Sequence, residues 1–396
     1  MRRTRLQGVL LVLTVTASFA LAGCGINEPR QVAVALQRPV ASGTAGTAPV
    51  SLDITPQSGT TNVPVTAEIG TTLSNGTIGD VALLDPSGAR VTGSMRADGT
   101  SWVPDHPLDN GVSYTATVTA TGAGGTTTTK TTTFTTMAKP GGTRVGTGLY
   151  LVNGKTYGVA MPVVVEFESD VPAEARAAIQ HRLFVRSDPP QPGVWRWFSA
   201  RSVLYRPQEY WKPGTTLTVR SALGGLPIGS RFGDTDRSAT VTIGRDLRIT
   251  VDNATKQLSV TQDGQVIKTM PVSLGKQSTP SSSGTTVIIS KEASTVFDTT
   301  QVDGPRGYRI PVQYAQRLTW GGEYIHAAPW SVGDQGHRNV SHGCVNVSTG
   351  NASWLFGTTL IGDPVTTQGT ERKLAAGNGW TVWNMTWAEY TAGTTP

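Results

Sequence analysis

Cys344 stands in a polar stretch, Ser341-His342-Gly343-Cys344-Val345-Asn346, and a second histidine, His326, precedes it by eighteen residues. A thiol becomes an effective nucleophile when a neighbouring group favours its thiolate, and histidine commonly fills that role. A structural cysteine is usually a small buried apolar side chain, and the polar neighbours of Cys344 argue against that role. The pattern therefore predicts covalent chemistry at Cys344.

The other cysteine of the chain, Cys24, lies in an N-terminal segment typical of exported proteins. Three arginines among the first five residues precede an uncharged apolar run, residues 9–20, that is too short for an ordinary membrane span. Leu21-Ala22-Gly23-Cys24 follows and resembles the bacterial lipobox, which is cut just before a cysteine that becomes lipidated. In the alternative, an ordinary secretory signal, cleavage removes Cys24. Both interpretations leave Cys344 as the only free thiol of the mature chain.

Length and charge indicate a protein of more than one domain without a nucleic-acid partner. The 396 residues include 33 Lys and Arg against 27 Asp and Glu, dispersed beyond the N-terminus. No nucleic-acid-binding module is recognisable, so no nucleic-acid partner is expected. At about 100–200 residues per domain, the length allows more than one domain. The predicted divisions are a lipoprotein signal peptide (1–23), a flexible tether (24–48), two immunoglobulin-like domains (49–137 and 138–245), a catalytic domain (246–367) and a C-terminal docking tail (368–396).

The predicted fold class is mostly β. Short β-forming runs alternate with turn clusters along residues 49–245, which is typical of β-sandwiches. One of these predicted strands is Val63–Ile69. Antibody-type cysteine spacing is missing from the sequence, so "immunoglobulin-like" describes architecture alone. In the third region, Asp263-Gly264 predicts a tight hairpin turn, and one helix is predicted over residues 349–356.

Aromatic residues concentrate in two parts of the chain. Trp380, Trp383 and Trp387 recur at helical spacing near the C-terminus, and this content favours a tail that packs against the preceding domains over a disordered one. A second group either forms a carbohydrate-binding face or packs in the interior, and packing needs fewer assumptions. Its members are Trp195, Trp197, Tyr205, Tyr210 and Trp211.

The residues around Cys344 match a known family. His326-x-x-Pro329-Trp330 followed by Ser341-His342-Gly343-Cys344-Val345-Asn346 resembles the signature of L,D-transpeptidases with a YkuD-type catalytic domain. The order of lipobox, two immunoglobulin-like domains, catalytic domain and Trp-rich tail is similar to that of the mycobacterial members. The resemblance implies 3→3 cross-linking of peptidoglycan: a cysteine thioester forms on a donor tetrapeptide stem, and the diaminopimelate amine of an acceptor stem resolves it.

The resemblance also implies roles for particular residues. Cys344 is the nucleophile, His326 the general base and acid, and His342 orients the thiol loop, while backbone N–H groups of Gly343 and Cys344 stabilise the oxyanion. Many members have serine after the first histidine, where this chain has Ala327, so a backbone carbonyl is expected to orient His326. The expected substrate-binding residues are Tyr308, Gly321, Gly322, Trp330, Ser341 and Asn346. Carbapenem-type inhibitors are expected to react with the same cysteine.

Three alternatives stay open on sequence grounds. Water could resolve the same acyl-enzyme, which would make the protein an L,D-carboxypeptidase, or the chain could be a wall-binding lipoprotein without catalysis. His326, His337, His342 and Cys344 could instead form a zinc site. The sequence has no C-x-x-C or H-E-x-x-H element, so no metal and no other cofactor is expected. The predicted location is the outer face of the cytoplasmic membrane, with a lipid anchor at Cys24.

Overall fold

Strands dominate the computed structural model, which describes residues 49–298, 300 and 307–393. The predicted mostly-β fold class is confirmed. The signal peptide, the tether and Cys24 lie outside the described residues. Among the helices of the described ranges, none has the length and apolar character that a membrane span requires.

Residues 49–137 form two antiparallel sheets, with strand orders β1-β2-β5-β4 and β3-β6-β7. Their strands are β1 (Ser51–Thr55), β2 (Ile69–Ser74), β3 (Gly76–Leu84), β4 (Gly93–Met95), β5 (Ser101–Pro104), β6 (Ser113–Gly122) and β7 (Thr127–Thr135). Side chains alternate between the two faces of β6. Its even-numbered residues from Tyr114 to Ala120 are buried, and its threonines pair with threonines of β7 on the other face. The strand predicted over Val63–Ile69 is wrong. Proline lacks a backbone donor, and Pro64 opens a turn in which its carbonyl accepts from the Ala67 N–H.

Residues 138–245 form three sheets and one helix, α1 (Ala173–His181). The sheet orders are β10-β18-β15-β12, β13-β14-β11-β9 and β16-β17-β8. Trp195, Tyr205 and Trp211 are buried in the core, and the other two aromatic residues of the predicted group pack against it, so the packing interpretation is confirmed. The strands are β8 (Arg144–Val145), β9 (Thr147–Leu149), β10 (Thr156–Tyr157), β11 (Val163–Phe167), β12 (Leu183–Asp188), β13 (Gly193–Ser199), β14 (Ser202–Pro207), β15 (Thr216–Ser221), β16 (Pro227–Ile228), β17 (Arg231–Gly233) and β18 (Arg237–Ile243).

The C-terminal third contains two sheets, with orders β21-β20-β19-β27-β22-β28 and β23-β24-β25-β26. The predicted hairpin turn is confirmed: Asp263 and Gly264 have φ of 50° and 83°, as a type I′ turn requires. Helix α2 (Thr349–Thr358) contains the predicted helix, and Ser348 caps it by accepting the Asn351 N–H. The strands are β19 (Leu247–Asp252), β20 (Gln257–Gln262), β21 (Gln265–Pro271), β22 (Ser282–Val287), β23 (Ser290–Asp298), β24 (Arg309–Arg317), β25 (Tyr324–Ala327), β26 (Val345–Val347), β27 (Pro364–Gln368) and β28 (Arg372–Lys373).

The tail after β27 packs against two parts of the chain. Strand β28 extends the larger sheet by pairing in parallel with β22. Trp380 and Tyr390 then enter the core of residues 138–245, and the Tyr390 hydroxyl, at the end of helix α3 (Trp387–Ala392), donates to the Leu204 carbonyl at 2.7 Å. The Trp383 indole N–H donates to the Ala160 carbonyl, also at 2.7 Å. The tail thus connects the last sheet to the middle of the chain.

Arg206 lies at the centre of this contact and is only 2% exposed. Its guanidinium lies 4.5, 5.2 and 4.4 Å from the ring centroids of Trp383, Trp387 and Tyr390. It also donates to the carbonyls of Pro207, Gln208 and Met385. A buried cation is costly unless it is compensated, and here the compensation comes from aromatic faces and backbone oxygens.

Arg206→Ala is expected to lower the free energy of unfolding by roughly 3 kcal/mol, because it removes the aromatic contacts and leaves buried carbonyls without donors. Urea denaturation followed by tryptophan fluorescence measures this change. Arg201→Ala is the matched control, since the Arg201 side chain is 59% exposed and pairs with Asp170 at the surface; a loss below about 1 kcal/mol is expected there. Equal losses in the two variants would contradict the role given to Arg206.

Candidate active site

Two adjacent parallel strands, β25 and β26, position the predicted catalytic pair. Ile325 pairs with Val345 and His326 with Asn346, and Cys344 immediately precedes β26. Side chains alternate along a strand, and neighbouring strands lie about 4.8 Å apart. The two-residue offset between Cys344 and Asn346 therefore brings the thiol to the same face as the His326 ring, and both line one cavity of about 450 Å³.

His326 is held as a neutral base. The residue is 3% exposed, and its Nδ1 lies 2.9 Å from the carbonyl oxygen of Ala327. Because a carbonyl can only accept, Nδ1 carries the proton and Nε2 of the neutral ring has a free lone pair. Burial lowers the pKa of His326 below its usual value, which favours that neutral form. Because Ala327 has no side-chain hydroxyl, a backbone carbonyl was expected to orient His326. In the structure this acceptor is the carbonyl of Ala327 itself.

Cys344 is a protonated thiol in the resting site. Burial raises its pKa to about 12; a hydrogen bond from the Tyr324 backbone N–H lowers the pKa, and the carboxylate of Glu323 raises it by a smaller amount. The Sγ donates weakly to the Gly322 carbonyl at 3.6 Å. A stored thiolate is thus disfavoured, so a reaction at the sulfur needs a base, and the neutral His326 ring lies in the same cavity.

The turn before Cys344 is fixed by one hydroxyl. Ser341 Oγ accepts the Gly343 N–H at 3.1 Å and donates to the Cys344 carbonyl at 2.7 Å. Gly343 has a φ of +125°, a backbone conformation that glycine adopts readily. In this arrangement the Gly343 N–H already has a partner and would have to exchange it for an oxyanion. Its predicted role in oxyanion binding stays a prediction.

The cavity gathers most of the predicted substrate-binding residues. Tyr308, Trp330, Ser341 and Asn346 line it beside the catalytic pair. Trp330 is 54% exposed and its ring lies 6.0 Å from that of His326, so it forms an open apolar rim. Asn346 is buried, and its side-chain amide donates to Ser331 Oγ at 3.1 Å, which makes it a support of the wall.

His342 lines the same cavity as Cys344 and is exposed. Its ring centroid is 5.2 Å from that of Tyr308, and its Nε2 is 3.0 Å from the Lys276 ammonium. Since an ammonium only donates, Nε2 accepts and the neutral His342 ring carries its proton on Nδ1. The role of His342 in orienting the thiol turn stays a prediction.

The two predicted glycines border the nucleophile without lining the cavity. Gly322 supplies the carbonyl that accepts from the thiol, and its φ of +91° is in the region that glycine favours. The Gly321 N–H donates to Asn378 Oδ1 of the tail at 2.7 Å. These contacts make the loop Thr319–Glu323 part of the wall behind Cys344.

Several residues of the site were missing from the sequence-based set. Phe297 packs edge-on against His326 with ring centroids 5.0 Å apart, and Ile310 and Val312 of β24 form an apolar wall. The alternation of apolar residues in β24 is a signal for a buried face, but a strand pattern does not say which cavity that face borders. Lys276 and Glu323 carried no sequence signal of their own.

Metal binding has no support in the described part of the chain. Within residues 49–298, 300 and 307–393, no group of three or more His, Cys, Asp or Glu side chains is placed to hold a metal ion. The four residues considered as zinc ligands, His326, His337, His342 and Cys344, thus do not form such a group.

Two protein-family models match this chain. The L,D-transpeptidase catalytic domain family (YkuD) matches residues 246–366, and the bacterial Ig domain family (Big_10) matches residues 60–227. Fold and site thus define an enzyme with an immunoglobulin-like segment before an L,D-transpeptidase catalytic domain. One family model spans the boundary predicted at residue 137, so the division of residues 49–245 into two domains stays a prediction.

Individual relatives cover most of the chain. L,D-transpeptidase 2 of Mycobacterium tuberculosis is 34% identical over 85% of this chain and 82% of the relative. L,D-transpeptidase 5 of the same species is 32% identical over 83% and 73%. A solved structure of the LD transpeptidase LdtMt1 in complex with imipenem is 33% identical, covers 56% of this chain and 97% of that one, and has a TM-score of 0.49. The chain belongs to the L,D-transpeptidase family.

Proposed function

We propose that this L,D-transpeptidase forms 3→3 cross-links between diaminopimelate residues of peptidoglycan, through a thioester on Cys344. The observation that carries the proposal is the placement of Cys344 and His326 on adjacent strands at one cavity, with His326 Nδ1 bound to a carbonyl. That arrangement supplies a nucleophile and a base with its free nitrogen available, which acyl transfer from an amide requires.

In the first step, Cys344 Sγ attacks the carbonyl at the L-centre of diaminopimelate in the donor stem, while His326 Nε2 takes the thiol proton. The negative charge on the carbonyl oxygen is stabilised by the backbone N–H of Cys344 and by that of Gly343 once it leaves Ser341 Oγ, and one such donor is typically worth roughly 3 kcal/mol. The C–N bond then breaks, His326 returns the proton to the departing nitrogen, and D-alanine leaves.

In the second step, the side-chain amine of an acceptor diaminopimelate attacks the thioester. His326 removes a proton from that amine, the C–S bond breaks, and Cys344 leaves and recovers its proton. The high pKa of the thiol favours a protonated leaving group, so the histidine serves as base and acid in both halves. We propose that the Cys344 sulfur attacks the strained carbonyl of carbapenem-type inhibitors in the same way and is thereby acylated.

The same proposal places the enzyme at the outer face of the cytoplasmic membrane, anchored through lipidated Cys24. It rests on the lipobox-like Leu21-Ala22-Gly23-Cys24 after an apolar run. Mass spectrometry of the protein purified from a bacterial membrane fraction tests it: a diacylglyceryl group on an N-terminal Cys24 supports the anchor, and a mature chain that begins after Cys24 overturns it.

Product analysis tests the reaction. The full chain is incubated with a disaccharide-tetrapeptide that contains diaminopimelate, and the products are identified by mass. Transpeptidation gives a dimer whose mass is twice that of the substrate less one D-alanine. Release of D-alanine with a tripeptide product and no dimer, even with added acceptor amine, would indicate an L,D-carboxypeptidase. Failure to release D-alanine would overturn the catalytic proposal.

A further inference from the structure

An ion pair between buried Glu323 and half-exposed Arg372 lies behind the thiol turn. Glu323 is 8% exposed, and its carboxylate accepts from the Ser282 N–H at 3.2 Å, from Ser282 Oγ at 2.8 Å and from the Arg372 guanidinium. A Cβ placed on Gly343 would lie 3.7 Å from Arg372 Nη2 and 3.7 Å from Glu323 Cγ. Both charged side chains therefore border the residue that precedes the nucleophile.

The two members of the pair differ in their access to water. The Glu323 side chain is 11% exposed and that of Arg372 is 47% exposed. A carboxylate that has lost its hydration depends on its partner for compensation. Without Arg372, an uncompensated negative charge would stand next to the place where both a thiolate and an oxyanion develop.

The sign of this effect is visible at Cys344 itself. The negative charge of Glu323 raises the pKa of the Cys344 thiol, in addition to the larger effect of burial. A like charge near an acid always disfavours its ionised form. Neutralisation of Glu323 by a cation therefore favours the attack of the sulfur.

The tail also fixes the position of the loop that contains Glu323. Arg372 belongs to β28, whose register with β22 places it opposite Ser282, and its Nε donates to Ser282 Oγ at 3.1 Å. The neighbouring Ser281 Oγ donates to the Gly343 carbonyl at 2.7 Å. At the other end of the loop, Asn378 accepts the Gly321 N–H. The two tail residues thus hold the loop Thr319–Glu323, from which Gly322 contacts the thiol.

We propose that Arg372 is a positioning residue for acyl transfer: it neutralises Glu323 and holds the loop Thr319–Glu323 against Gly343 and Cys344, so that the C-terminal tail completes the active site. This role rests on the proposed function of Cys344 as the acylated nucleophile. Arg372 touches neither reacting atom and acts through Glu323 and the loop.

A double-mutant cycle that removes the two charges tests the proposal on the full chain. Arg372→Met, Glu323→Gln and the double variant are compared by the second-order rate of Cys344 alkylation with iodoacetamide between pH 7 and pH 9. This readout needs no peptidoglycan substrate, so it stays interpretable if the proposed cross-linking reaction fails. Below its pKa, a thiol reacts in proportion to its thiolate fraction, and removal of a neighbouring cation typically costs about one pKa unit.

Arg372→Met is therefore expected to slow alkylation about tenfold at every pH, and the double variant, which has lost both charges, is expected to return to within about threefold of the parent rate. Arg372→Lys keeps the charge but loses the planar guanidinium that donates to both Glu323 and Ser282, so it should react faster than Arg372→Met and no faster than the parent. Lys373→Met is the matched control, because it removes the same charge from the adjacent exposed position, and it should leave the rate unchanged. The same ordering is expected for kcat with the peptidoglycan substrate.

Two results would overturn the proposal. One is an unchanged alkylation rate in Arg372→Met. The other is a rate in the double variant that is as slow as in Arg372→Met, since the arginine would then not act by neutralising Glu323. Thermal unfolding of each variant identifies any that fails to fold, in which case Arg372→Lys against Lys373→Met decides whether charge at this position matters.

Discussion

Cys344→Ala is expected to lower cross-link formation by a thousandfold or more, since loss of a catalytic nucleophile commonly costs that much or more. The variant is expected to remain folded, because the thiol makes a long hydrogen bond to the Gly322 carbonyl and a second one with the Tyr324 backbone, and removal of one sulfur from a cavity wall costs about 1 kcal/mol. Dimer formation by mass analysis and the midpoint of urea denaturation measure the two quantities.

The matched control is the other cysteine of the chain, Cys24. Cys24→Ser is expected to lose the lipid anchor and retain both dimer formation in solution and the mass adduct with a carbapenem. Cys344→Ala should give no adduct, whatever happens at Cys24. A Cys344→Ala variant that retains cross-linking would place the chemistry elsewhere, and an adduct on Cys24 alone would show that carbapenem labelling does not report on the site.

The placement of Cys344 and His326 at one cavity was largely predictable from sequence, because the segments that carry them are close along the chain. Cys344 and Asn346 lie on or beside one strand, and His326 and Ala327 lie on the adjacent one. Once a nucleophile and a base share neighbouring strands, side-chain alternation brings them to one face. The replacement of serine by Ala327 even predicted the type of group that orients His326, because a backbone carbonyl was the remaining local acceptor.

The support behind the thiol was not predictable in this way. Glu323 and Arg372 come together because β28 pairs with β22, although these two strands are far apart in the sequence. Neither residue belongs to a periodic pattern or a motif, so their contact depends on the sheet topology. The strand predicted over Val63–Ile69 was wrong, although local propensity favoured it. Pro64 begins a turn there, and its carbonyl accepts the Ala67 N–H.

His326→Gln is expected to lower kcat/KM by roughly a hundredfold to ten-thousandfold, the usual contribution of a positioned general base. Glutamine keeps much of the volume and polarity of the buried ring while removing the basic nitrogen. The thiol with a pKa of about 12 cannot replace the lost base by ionising at neutral pH. His337→Gln is the control, because His337 is exposed and outside the cavity lining, and it should retain full activity.

The pH dependence separates a catalytic from a structural role of His326. Burial lowers its pKa below the usual value of 6.5, so the parent enzyme should keep its neutral base down to pH 6.5 and lose activity only as the pH falls through the lowered pKa. The same depression means that His326 contributes to stability above pH 6.5, and that this contribution is lost as the pH falls. The His326→Gln variant should lack the acid limb in its residual activity and lose less stability between pH 6.5 and pH 5 than His337→Gln. If the loss of activity at low pH persists unchanged in His326→Gln, another group is responsible for it. His326 would then not be the base, because its side chain is the only one that differs between the two proteins.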